Sequence, residues 1–108
     1  MANWVDVCDR SALSKDEPKV CVRVADRPLV ACLDGDDVRV VVDECPHAGL
    51  PLGGGDLAGR VITCPYHGYA FDVRSGRNID YADDEPLTTF PVRIEGDKVQ
   101  ADLDGAEG

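Results

Sequence analysis

The segments Cys45-Pro-His47-Ala-Gly49 and Cys64-Pro-Tyr-His67-Gly-Tyr-Ala-Phe71-Asp72 decide how the rest of the chain is read. They place a C-x-H pair and a C-x-x-H pair on either side of the sixteen residues from Ala48 to Thr63. A Cys and a His two or three residues apart can bend around one end of a small metal centre. A second such pair, returning on another loop, can grip it from the opposite side. Two thiolates and two imidazoles in this order suit a 2Fe–2S centre in which His replaces Cys on one iron. Removing two anionic ligands leaves the oxidised cluster neutral, so an added electron is better tolerated and the potential rises. The same residue types also suit tetrahedral zinc, but zinc fingers usually pair Cys with Cys and His with His. Each pair here is mixed, which argues for iron. The candidate ligands are therefore Cys45, His47, Cys64 and His67, and the expected cofactor is one 2Fe–2S cluster.

Between the pairs, Gly49, Gly53, Gly54, Gly55 and Gly59 crowd around Pro51. Glycines allow backbone to pass close to an inorganic cluster. The run Gly53-Gly-Gly-Asp-Leu-Ala-Gly59 lacks the spacing of a dinucleotide fingerprint and has no helical pattern after it. Outward from this stretch, alternation bounded by turn residues predicts strands. Val20, Val22 and Val24 share one face of a strand, with Cys21, Arg23 and Ala25 on the other. Pro28 to Leu33 reads as the next strand, Asp34-Gly-Asp-Asp37 as a turn, and Val38 to Asp43 as its hairpin partner. Arg60 to Thr63 and Tyr69 to Val73 form a short pair, closed by Arg74-Ser-Gly-Arg77. Near the end, Phe90, Val92 and Ile94 alternate along one strand. Pro91 is expected at an edge or bulge there, because it cannot donate to a ladder. Glu95-Gly-Asp97 then turns the chain toward Val99, Ala101 and Leu103. Trp4 is expected in the core or as the anchor of an N-terminal strand. The fold class is all-β. A single domain spans 1–108, with a base of about 1–43 and 78–108 and a cluster-binding insert of about 44–77.

With 108 residues the chain suffices for one core. It has no run of eighteen apolar residues and no charged, apolar leader, so neither a membrane span nor export is expected. The net charge of −10 disfavours nucleic acid as a partner, since phosphates would be repelled. The stretch Glu44 to Arg77 is neutral, with three acids and three bases, so the excess negative charge lies elsewhere. One concentration is Asp80, Asp83, Asp84 and Glu85, which reads as a solvated loop or as a feature that steers a basic partner. Beyond the two candidate ligands, Cys8, Cys21 and Cys32 read as reduced, small hydrophobes in a cytoplasmic protein.

The two loops quoted above resemble the cluster-binding loops of the Rieske family, and the similarity extends from about Val20 to Leu103. The chain resembles a small Rieske ferredoxin, the electron carrier of bacterial multicomponent aromatic-ring oxygenases. That resemblance implies a Rieske-type fold of three antiparallel sheets, with the cluster at the tip of the insert and His47 and His67 nearest solvent. It implies one-electron transfer from an NAD(P)H-dependent reductase to a terminal oxygenase through transient contacts, by a carrier that is monomeric in solution. Respiratory Rieske proteins carry an extra Cys in each loop, where this chain has Leu50 and Tyr66, so their disulfide cannot form here. They also place hydroxyl donors to the cluster's sulfurs where this chain has Tyr69 and Phe71. Fewer donors imply a potential near the low end of the Rieske range, roughly −150 mV. The chain is not expected to be an enzyme, because its only two His are claimed by the cluster and none remain for a catalytic iron. The alternative that the resemblance leaves open is the non-catalytic Rieske-type small subunit of an assimilatory nitrite reductase.

Overall fold

The computed structural model describes residues 2–46, 51–65, 68–81 and 83–106. Among these residues the protein is all-β, apart from a three-residue turn of 3-10 helix at Arg10–Ala12. The strands are β1 (Trp4–Asp9), β2 (Lys19–Val24), β3 (Arg27–Asp34), β4 (Asp37–Val42), β5 (Leu57–Ala58), β6 (Val61–Thr63), β7 (Ala70–Asp72), β8 (Thr89–Phe90), β9 (Val92–Glu95) and β10 (Lys98–Asp102). They form three antiparallel sheets, ordered β1-β10-β9, β2-β3-β4-β8 and β5-β6-β7. Among the described residues no helix is long and apolar enough to cross a membrane.

The four-stranded sheet is the centre of the molecule because its inner strands are apolar on both faces. Leu29, Val30, Ala31 and Cys32 of β3 are all fully buried. Successive side chains point to opposite faces, so Leu29 and Ala31 meet Val7, Phe90, Val99 and Ala101 in one core. Val30 and Cys32 meet Leu52, Ile62, Phe71 and Leu87 in the other. A strand covered on both faces therefore reads as a continuous apolar run. Each fully buried Val or Leu contributes roughly 1.5–3 kcal/mol of transfer free energy.

The β2–β3 hairpin is closed by Ala25-Asp26 alone, with Val24 paired to Arg27. Both loop residues have positive φ, 52° and 63°, as in the two-residue turn that matches strand twist. The usual Asn-Gly signal is absent, and Ala there costs about 1–2 kcal/mol.

Pro91 behaves differently from the expectation of one continuous strand. The chain changes sheets at this residue: Phe90 pairs with Val40 in the central sheet, and Val92 pairs with Ala101 in the sheet of the termini. Phe90 is consequently buried, whereas Ile94 on the edge strand β9 is 46% exposed. Trp4 opens β1 opposite Asp102, and the Arg93 guanidinium lies 4.5 Å from its ring centroid. It is half-buried, and so serves as a strand anchor rather than core.

The third sheet has very short strands. β7 is narrower than the predicted Tyr69–Val73, and β5 is an additional strand that the pattern did not suggest. Asn78 extends this sheet by bridging to Phe71, which puts Ile62, Phe71 and Asn78 in one buried row. The Asn78 side-chain oxygen Oδ1 accepts from the Asp80 and Tyr81 N–H groups, both at 3.0 Å, and so starts the acidic loop.

Candidate metal centre

β4 ends at Val42, and three residues later Cys45 is fully buried. β6 ends at Thr63, directly before Cys64, which is also buried. Two separate chain segments thus deliver the two thiols into one apolar cluster with Leu52, Ile62, Phe71, Val73 and Leu87. His47 and His67 lie outside the described residues, as do Leu50 and Tyr66.

Backbone hydrogen bonds tie Cys64 to Gly68 and Tyr69 in the second ligand segment. Cys64 N–H donates to the Tyr69 carbonyl at 2.7 Å, and Gly68 N–H donates to the Cys64 carbonyl at 3.0 Å. The turn after β7 is built by Asp72, whose carboxylate accepts from Arg74 N–H at 2.8 Å and pairs with Arg60 at 3.3 Å. Leu87 N–H then donates to the Gly76 carbonyl at 2.7 Å, tying this turn to the returning chain.

The glycine-rich interval is shaped by protein contacts. A Cβ on Gly55 would lie 1.7 Å from the Thr63 carbonyl oxygen, the last backbone oxygen before Cys64. A Cβ on Gly53 would lie 2.2 Å from the Cys21 sulfur. These two glycines let the loop press against β6 and β2. The loop is held by side chains that the sequence pattern did not single out. Asp43 Oδ1 accepts from Leu52 N–H at 2.7 Å and Gly53 N–H at 2.6 Å, while Lys19 Nζ donates to the Gly53 carbonyl at 2.6 Å. Alternation made Asp43 only a strand end, although its place two residues before Cys45 was an available hint.

The remaining cysteines are unbridged thiols in three settings. Cys32 is a core residue whose thiol is pushed up to about 12, chiefly by burial and then by Asp34. Cys8 is half-buried, and burial with nearby Asp9 raises its pKa. Cys21 departs from the expected small core hydrophobe: it is exposed, because it lies on edge strand β2 and faces the glycine loop. Burial of its thiol, and then Asp43, still raise its pKa.

The sequence matches the Rieske [2Fe-2S] domain over residues 3–91. The chain belongs to this family. Ferredoxin CarAc of Metapseudomonas resinovorans is 33% identical over 96 residues, which is 89% of this chain and 90% of that protein. The ferredoxin component of biphenyl 2,3-dioxygenase from Rhodococcus jostii (strain RHA1) is 37% identical over 78 residues, 72% of this chain and 73% of that one. A chain in the solved complex of reduced oxygenase and oxidized ferredoxin in carbazole 1,9a-dioxygenase superposes with a TM-score of 0.81 at 33% identity, covering 92% of each chain. A Rieske domain carries one 2Fe–2S cluster, which replaces the zinc reading. The relatives are named ferredoxin components of dioxygenase systems, and this chain is likewise an electron-transfer component rather than a catalyst. These relatives do not favour the nitrite-reductase subunit.

The described residues fit such a group. Two soft thiol donors arrive from different segments, both screened from water in the same apolar cluster. That is the environment in which thiolate ligation survives hydrolysis and exchange.

Proposed function

We propose that Cys45, His47, Cys64 and His67 hold the 2Fe–2S cluster of this Rieske ferredoxin. The observation that supports this most directly is the burial of Cys45 and Cys64 in one apolar cluster, each at the head of a segment that continues to a His. The cluster supplies one-electron storage when bound. The chain's part is to hold it by two loops and to exclude water from the thiolate side. In this reading a base of about 1–43 and 78–108 carries an insert of about 44–77. The electron donor is an NAD(P)H-dependent reductase and the acceptor a terminal oxygenase, both engaged transiently by a cytoplasmic, monomeric carrier. The neutral stretch 44–77 supports docking near the cluster, since a small contact without excess charge suits fast-exchanging redox encounters.

The purified protein should contain two irons and two acid-labile sulfides per chain, a stoichiometry that follows from one such cluster. Pulsed EPR of the reduced form should show couplings from two imidazole nitrogens, lost one at a time in His47→Cys and His67→Cys. Cys45→Ser and Cys64→Ser should each prevent stable assembly, because a hydroxyl is a poor match for a thiolate site. One zinc per chain without sulfide would overturn the assignment.

A further inference from the structure

We infer that Asp43, together with Lys19, is the positioning device of the first ligand loop, governing how firmly the cluster is held and at what potential. The inference rests on the ligand assignment just proposed. Asp43 leaves the end of β4 at a fixed point, because its own N–H donates to the Pro28 carbonyl at 2.9 Å. From there a single carboxylate oxygen takes two consecutive backbone N–H groups, at 2.7 and 2.6 Å. Lys19, the first residue of β2, closes the other side by donating to the Gly53 carbonyl at 2.6 Å. The peptide groups of residues 52 and 53 are thereby gripped from both polarities. The fit is flush: a Cβ on Gly53 would meet the Cys21 sulfur at 2.2 Å and Asp43 Oδ1 at 3.3 Å. Between these anchors Leu52 is fully buried in the cluster that contains Cys45 and Cys64. Hydrogen bonds to a charged acceptor are the stronger kind, and two converging on one oxygen set direction as well as distance. The clamp also brings one anion and one cation beside the ligand loop, so the two residues act on the loop's position together and on the potential in opposite directions.

The test uses the intact, cluster-loaded protein. Iron and sulfide in the unmodified chain are measured first, and their absence would reject the ligand assignment without bearing on the clamp. Asp43→Ala should then lose iron to a chelator about ten- to a hundredfold faster, the range expected for losing a charged acceptor of two hydrogen bonds. Asp43→Asn keeps an oxygen that can accept both bonds, so its iron loss should stay within about threefold of the unmodified rate. Both variants should raise the reduction potential, since a negative charge beside the loop is gone. Lys19→Met should speed iron loss a few-fold and lower the potential. If Asp43→Ala does not fold, Asp43→Asn and Lys19→Met still decide. The inference is overturned if Asp43→Ala holds iron as well as the unmodified chain, or if Asn loses it as fast as Ala. It is equally overturned if Lys19→Met leaves both rate and potential unchanged.

Discussion

One face of the central sheet is covered by strands and the other by loops. On the first face, β1, β9 and β10 are four to six residues long and close an apolar core through Val7, Val99 and Ala101. On the second, β5, β6 and β7 have two or three residues each, and much of the covering comes from Leu52 and Leu87 outside any strand. That side also buries three thiols, Cys32, Cys45 and Cys64, and Asn78, whose side-chain nitrogen has no hydrogen-bond partner among the described residues. Few ladder bonds make the second face the weaker unit, since local stability follows contact density and backbone bonding. The first face is closed by paired strands and side-chain packing. The second is covered in part by a loop that the Asp43 carboxylate holds and that glycines let approach closely.

The largest expected effect comes from removing the cluster by chelation under reducing conditions. Hydrogen exchange should then separate the two faces. Amides of Thr63, Cys64 and Val73, which donate to Asp56, Tyr69 and Arg60, should lose protection by about a hundredfold or more. Amides in β3 and β4 should keep most of theirs. Equal loss on both faces would mean that the molecule unfolds as one unit and that the contrast has no energetic meaning.

A smaller, sharper comparison uses two neighbouring glycines. Gly55→Ala forces a methyl into the Thr63 carbonyl, a backbone atom that cannot swing aside, and should destabilise the protein by about 3 kcal/mol or more. Gly54 has no described residue within 4 Å of the same position, so Gly54→Ala should stay within about 0.5 kcal/mol. Thermal or urea unfolding of the two variants measures the difference. Similar stabilities would show that the loop yields at Gly55 and is not held against β6.

This asymmetry also explains what could be read in the sequence. The first face was legible because alternation and hairpin turns are local signals: Val20, Val22 and Val24 face one core, and Glu95-Gly-Asp97 turns the chain into β10. The 2Fe–2S cofactor was legible because metal ligation demands particular side chains at short spacings, and of the four candidate ligands Cys45 and Cys64 meet in one buried cluster. The sheet change at Pro91 was not, since a proline that ends one ladder and begins another looks like a bulge when strands are read one at a time. Nor was the Ala25-Asp26 turn, where the pairing of β2 with β3 outweighs local preference. The clamp was the least visible part. Asp43 and Lys19 are 24 residues apart, and their common partner, Gly53, is ten residues beyond Asp43. No local periodicity encodes such a meeting.

The smallest effect concerns the loop after Asn78, which belongs to neither face. Ile79 and Tyr81 are exposed there beside Asp80, Asp83 and Glu85, and the Tyr81 ring stands edge-on to Tyr69, 6.0 Å between centroids, just past the second ligand segment. Asp84 has a local task, since its carboxylate accepts from Glu85 N–H at 3.0 Å. Asp83 and Glu85 are therefore the better pair to neutralise. Asp83→Asn with Glu85→Gln should leave stability within about 0.5 kcal/mol of the unmodified chain, because both side chains are solvated. If the loop steers a basic partner, electron transfer to an oxygenase should slow at low ionic strength. The difference should fade as salt shortens the Debye length to about 8 Å at physiological strength. Stopped-flow transfer at several salt concentrations measures this directly. A rate loss that persists at high salt would instead place these side chains in the docked contact, and no loss at any salt would make the loop simply a solvated one.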